Sequence, residues 1–149
     1  MSIKHTAVSY YGLNYEEHAR ADFKEMLAHG CDTVILAITE FDLDFWFPNL
    51  NNIIKVAHEV GLRAIADLWG IGKYFGGEQV SLFLQNNIHN RQVSAITGEP
   101  LNAACFNTAS FRDYFLRMAV QIPATTEPDG LSSAEPHTAP PATSPSTPS

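Results

Sequence analysis

Basic residues are scarce. The 149-residue chain carries nine Lys and Arg against sixteen Asp and Glu, a net charge of −7. The nine form no stripe or cluster, which argues against nucleic acid, since neutralising phosphates takes a concentrated positive face. It argues equally against an anionic membrane surface. Long apolar runs are also missing. None approaches the roughly 20 residues needed to span a bilayer, and Met1 to Gly12 lacks the apolar stretch of a signal peptide. Cysteine is limited to Cys31 and Cys105, too far apart for a metal-ligand spacing. Isolated cysteines fit a reducing cytoplasm, where they serve as small buried hydrophobes, so a cytoplasmic location is expected. The sequence has no HExxH, no nucleophile elbow and no GxGxxG opening a helix. No cofactor and no metal are therefore expected.

The composition changes sharply near residue 120. Of the 29 residues from Gln121 to Ser149, 17 are Pro, Ser or Thr, none is aromatic, and only Ile122 and Leu131 are large and apolar. Such a stretch buries too little apolar surface to offset its ordering entropy, so 121–149 reads as a disordered tail. Residues 1–120 hold both Trp, all five Tyr and all nine Phe. That is enough chain for a real core.

Within this body, strands alternate with helices. Thr6 to Tyr11 is β-branched and aromatic and ends at Gly12. Asn14, with Glu17 three residues on, has capping-box spacing for a helix. The helix carries Tyr15, Ala19, Phe23, Met26 and Leu27 on one stripe and stops at Gly30. Thr33 to Thr39 is apolar on both faces, as in parallel sheets covered by helices. A second helix, capped by Asn49, bears Leu50, Ile53, Ile54, Ala57 and Val60. Ala64 to Leu68 is a third strand. Strand starts 27 and 31 residues apart have the period of βα units, not hairpins. A short helix over Val80–Gln85 and a patternless excursion over Asn90–Ala104 follow. A third helix then carries Phe111, Tyr114, Phe115 and Met118. Three parallel strands leave two open edges and make too small a sheet. The fold expected is α/β: three βα units of an incomplete (β/α)8 barrel, as an incomplete gene or a shifted reading frame would give. The alternative is a small α/β domain with a genuine Pro/Ser/Thr linker. Open sheet edges also make self-association possible.

Sites in parallel α/β folds form at the carboxyl ends of the strands. Here those ends carry Tyr11, then Glu40, then Asp67 and Trp69. Asp67 interrupts an apolar strand, and a buried carboxylate needs a partner: a ligand, an Arg, or amides of the Gly-rich loop that follows. Glu40 is similarly placed, with a solvated strand end as the plain alternative. Trp69 and Tyr74, like Trp46 and Phe75, fall in βα loops. Rings that stack on the apolar face of a sugar, beside carboxylates that accept hydroxyl protons, are what a saccharide site needs. The competing reading is that the rings plug the rim. Tyr11, Glu40, Asp67, Trp69 and Tyr74 are the candidate substrate-binding residues, for a saccharide or another polyhydroxylated small molecule. The acids Glu40, Asp42 and Asp44 alternate with apolar residues and read as a solvated extended loop.

The run DLWGIGKYFGGE over 67–78, with Ser81, Phe83 and Leu84 behind it, resembles the third-strand region of (β/α)8-barrel glycoside-hydrolase-like proteins. CFN over 105–107, with Phe111, Arg112 and Tyr114, resembles the start of the third helix in such barrels, where a Cys-Pro-Asn-like turn is usual. Phe106 stands in the proline place. The resemblance covers roughly His5 to Ala119. It implies a carbohydrate-active barrel whose parent activity is glycosidic-bond hydrolysis. Such barrels usually carry their catalytic carboxylates on the fourth and later strands, so no catalytic residue is assigned and the three units alone are expected to be inactive. Two other readings stand beside it. One is a sugar isomerase or epimerase barrel, with a divalent metal on strand-tip acids. The other is a non-catalytic sugar-binding or interaction domain.

Overall fold

A computed structural model describes residues 5–72 and 80–133. Its elements run β1 (Ala7–Tyr10), α1 (Glu16–Ala28), β2 (Thr33–Ile38), α2 (Glu40–Phe45), α3 (Phe47–Val60), β3 (Arg63–Leu68), α4 (Leu82–Asn86), β4 (Arg91–Val93), β5 (Pro100–Ala104), α5 (Ala109–Thr125) and β6 (Gly130–Ser133). Strands β1, β2, β3 and β6 lie side by side in that order, and every pair is parallel. The expected strand starts are met to within one residue. The excursion is not patternless: β4 and β5 pair as an antiparallel hairpin. Its short strands, the turn residue Gly98 and a second strand that opens on Pro100 hide it from periodicity.

Paired residues of parallel strands share a face, and alternate residues change face. One face therefore presents Val34, Leu36 and Ile38 beside Ala64, Ala66 and Leu68, all buried. Phe23 of α1, Leu50, Ile53 and Ile54 of α3, and Phe111, Met118 and Ile122 of α5 belong to the same core. Burying a side chain of this size stabilises by about 1.5–3 kcal/mol, so this layer dominates the energetics. The other face presents Ser9, Ile35, Ala37, Ile65, Asp67 and Ser132. No described helix packs on it, and apart from Ala37 these residues are half-buried or exposed. The apolar run of β2 suggests helices on both sides of the sheet. The described helices cover one.

The boundary near residue 120 moves. Helix α5 continues to Thr125, because Ile122 extends the buried stripe of Phe111 and Met118. The Thr126 hydroxyl then donates to Ile122 O at 2.8 Å and ends the helix. A fourth strand follows inside the supposed tail, with Gly130 beside Ile65 and Ser133 beside Leu68. Asp129 sets its entry: its N–H donates to Ala64 O at 2.8 Å. Its carboxylate accepts from Ala64 N at 2.7 Å and meets His58 Nε2 at 2.9 Å. A composition averaged over 29 residues conceals both Ile122 and Asp129. The part of the expected tail from 134 onward lies outside the described residues.

At the amino ends of the strands Asp32 plays a matching part. It accepts from Thr6 N at 3.2 Å and Thr33 Oγ1 at 2.8 Å, and His5 Nδ1 stands 2.6 Å away. The His5 and Thr33 bonds, chiefly, hold its carboxyl well below the usual carboxylate range. For Asp129, burial acts to raise the pKa but is outweighed by the Ala64 amide, His58 and Arg63, so its carboxyl too is held low. A carboxylate depressed in the folded state contributes stability above its unfolded pKa and loses it as pH falls through its folded pKa. The chain should therefore lose thermal stability as pH drops below about 4. Asp129→Asn should be less stable than wild type at pH 7 and show a shallower acid limb. Melting curves at several pH values check this, and parallel limbs would contradict it.

Candidate functional site

The carboxyl ends of the four parallel strands gather the predicted residues in two separate groups. On the helix-free face, Asp67 pairs with Ala37 on one side and Ser132 on the other. Tyr11, one residue beyond the Tyr10–Leu36 pair, continues the same row. Trp69 follows Asp67 by two residues and so shares its face, and its N–H donates to Ile38 O at 2.9 Å, prolonging the β2–β3 ladder. The Tyr11 and Trp69 rings meet edge to face with centroids 5.2 Å apart. Tyr11 is 64% exposed, and Trp69 is half-buried. The Asp67 carboxylate is half-buried and has no hydrogen-bond or ion-pair partner among the described residues. Among the described residues neither an arginine nor the amide of Gly72 satisfies it, since that amide donates to Glu40.

Glu40 belongs to the second group. Thr39 ends β2 and starts α2 through a capping box: its hydroxyl accepts from Asp42 N at 3.2 Å, and Asp42 Oδ2 accepts from Thr39 N at 2.9 Å. The stretch of alternating acids is therefore a short helix and not an extended loop. That turn carries Glu40 to the helix side, where it is 2% exposed. Its carboxylate accepts from Gly72 N at 2.8 Å, Ser81 Oγ at 2.7 Å and Phe83 N at 2.8 Å. Glu40 thus leaves the candidate substrate-binding set. It is a buried carboxylate supplied with three donors, as burial of such a group requires. A loop amide of the kind expected for Asp67, that of Gly72, is spent on Glu40, and among the described residues Asp67 has no partner. Tyr114 stands beside Glu40. Burial, reinforced by the charges of Glu40 and Asp44, raises its phenol well above the ordinary value. It remains a proton donor at any physiological pH.

Gly72 shows how closely this anchor is built. Its φ of +73° is open to glycine, and a Cβ there would lie 2.5 Å from the Phe111 ring and 2.9 Å from Ala104 Cβ. Its carbonyl accepts from Ala104 N at 2.8 Å, tying the end of the hairpin to the start of the loop. Phe83 stacks on Tyr114 at 4.6 Å and lies 5.4 Å from Phe111, closing the cluster over Glu40.

Tyr74, and Phe75 beside it, lie outside the described residues. Trp46 joins α2 to α3 as the residue between them. Ser132 is the rim residue that sequence reasoning missed. It lies in the Pro/Ser/Thr-rich stretch, where nothing local distinguishes it from its neighbours. Among the described residues no group of three His, Cys, Asp or Glu could hold a metal ion, and no helix is long and apolar enough to cross a membrane. Cys31 is buried and free. No protein-family model matches the chain, and no curated protein matches it.

Removing the Glu40 side chain orphans two amides and a hydroxyl, each worth about 1–3 kcal/mol when left buried without a partner. Glu40→Ala should lower the urea-unfolding free energy by about 3–5 kcal/mol. Gly72→Ala should be similarly damaging by steric conflict. A loss under about 1 kcal/mol in both would show that the anchor carries little.

Proposed function

We propose that the open rim formed by Tyr11, Asp67 and Trp69, with Ser132 beside them, binds a saccharide or another polyhydroxylated small molecule. We further propose that the four parallel strands are a section of a (β/α)8-type barrel of the carbohydrate-active class, with glycosidic-bond hydrolysis as the parent activity. The observation that carries the reading is the Asp67 carboxylate. It sits at a strand tip with no partner among the described residues, on the face the described helices leave bare, on the same face as an exposed Tyr11 and a half-buried Trp69. A free carboxylate accepts two hydroxyl protons, and hydrogen bonds to a charged acceptor are among the stronger ones. An aromatic ring next to it offers the apolar face of a sugar a surface to lie on. Parallel strands in sequential order, with helices on one side, support the barrel part: barrel strands are covered outside and turn their other face inward.

Hydrolysis of a glycosidic bond in the usual way takes two carboxyl groups flanking it. Among the described residues this rim supplies one free carboxylate, because Glu40 is committed elsewhere. The chain is therefore proposed to bind without turnover. The isomerase reading requires strand-tip acids clustered around a metal and has no observation in its favour. The binding-module reading differs from the first only in the parent activity.

Titration of the purified chain with maltose and cellobiose, followed by tryptophan fluorescence, tests this. Saturable quenching is expected. It should be lost in Trp69→Phe and weakened about tenfold or more in Asp67→Asn. Asp67→Asn should leave stability within about 0.5 kcal/mol, because the carboxylate has no partner to lose among the described residues. Aryl glycosides should not be turned over. Hydrolysis abolished by Asp67→Asn would overturn the binding-only reading, and absence of saturable binding would overturn the site.

A further inference from the structure

Helix α5 starts without a side-chain cap. Its N-cap residue is Thr108, whose hydroxyl is turned backward to donate to Cys105 O at 2.8 Å. The first helix amide with an acceptor is that of Arg112, on Thr108 O at 3.2 Å. The N–H groups of Ala109, Ser110 and Phe111 have no acceptor among the described residues. Water satisfies such amides at many helix starts, so this end alone identifies nothing.

Asn90 adds an independent observation. It is fully buried, and its carbonyl accepts from Cys105 N at 2.8 Å, fastening it to the loop that leads into α5. Its side-chain oxygen accepts from the hydroxyl of Ser110, in the first turn of the helix. The carboxamide is planar, so the nitrogen is held at that helix end together with the oxygen. Asn90 Nδ2 is buried and has no hydrogen-bond partner. A buried donor without an acceptor is costly and calls for an explanation. Here a carboxamide nitrogen and three backbone amides gather at one helix end, all donors and none supplied with an acceptor. The local charge has the complementary sign. The first turn of α5 contains no acid, the helix dipole places partial positive charge there, and Arg112 folds back so that Nη1 donates to Phe106 O at 3.1 Å and Asn107 O at 2.9 Å.

We infer that the start of α5, with the Asn90 carboxamide beside it, binds the phosphoryl group of inorganic phosphate or of a phosphate monoester. Such a group brings acceptor oxygens in several directions, and helix N-termini hold it through backbone amides. A carboxylate, with two oxygens in one plane, meets fewer of the four donors. Phe111 lies against Gly72, just past the carboxyl end of β3, so the site belongs to the end of the sheet where ligands gather in parallel α/β folds. It uses none of the residues of the Tyr11, Asp67 and Trp69 rim, and it rests on neither part of the function proposed above.

Heteronuclear NMR on the full chain, titrated with sodium phosphate and with sodium chloride at matched ionic strength and pH, tests this. Phosphate should shift the amides of Ala109, Ser110 and Phe111 and the side-chain NH2 of Asn90 saturably, with half-saturation at about 1 mM or below. Glucose 6-phosphate should move the same signals. Tighter binding than that of phosphate marks a monoester as the ligand, and the reverse order marks the free ion. Ala109→Asp places a carboxylate on the exposed first residue of α5, where it competes for the same amides and favours the helix. It should weaken phosphate binding about tenfold or more without lowering the melting temperature. Asn90→Asp, which replaces the orphan donor by an acceptor, should weaken it as well, and Ala109→Asp decides the matter if that buried variant fails to fold. Shifts no larger than those in chloride, an Asn90 side-chain signal that stays still, or undiminished binding in Ala109→Asp would each overturn the site.

Discussion

The buried carboxylate of Glu40 is the constraint around which the carboxyl end of the sheet is organised. A carboxylate 2% exposed in a helix-covered interior is tolerated only with its donors in place, and here they come from two separate stretches of the chain, Gly72 and Ser81 with Phe83. Gly72 closes the turn after β3, Ser81 caps α4, and Phe83 brings the aromatic cluster of α5 down over the site. The Ser81 hydroxyl serves twice, donating to Glu40 and accepting from Leu84 N at 3.1 Å. The anchor thus couples β2, the loop after β3, α4 and α5. Gly72 N, spent on Glu40, is not available to Asp67, which has no hydrogen-bond partner among the described residues.

The second organising fact is the sidedness of the sheet. All the large buried side chains lie on the helix side, and the electrostatic fastenings at Asp32 and Asp129 secure strand entries at the opposite end from the rim. Stability and candidate function are spatially divided. Polar residues at the amino ends tie strands together, and the carboxyl ends hold Asp67, a carboxylate without a partner among the described residues. That division is the ordinary economy of parallel α/β sheets, where ligands gather at strand carboxyl ends.

How much of this was legible depended on local pattern. The strands near Thr6, Thr33 and Ala64 announce themselves through β-branched runs, and the stripes of α1 and α3 through period, because burial on one face leaves that imprint. Helix starts were less readable. Asn14 does not cap α1, whose N-cap is Tyr15, and Asn49 lies inside α3 with its side chain donating to Asn14 O at 2.9 Å. The destination of Glu40 was encoded one residue earlier: Thr39 and Asp42 have capping-box spacing, which turns the chain into a helix and swings Glu40 inward. An acid after a strand carries no such direction by itself. β6 left almost no trace, because a four-residue strand of Gly, Leu and Ser is held by Asp129 and by partners far off in sequence.

Of the two strand-tip acids, Asp67 and not Glu40 is proposed to meet a ligand. Amide chemical shifts followed by heteronuclear NMR during a titration with cellobiose or maltose test it most directly. Saturable shifts are expected at Tyr11, Asp67, Trp69 and Ser132, with the amides of Gly72 and Phe83 held in place by Glu40. Shifts centred on Gly72 and Phe83, with the Asp67 row unmoved, would contradict it.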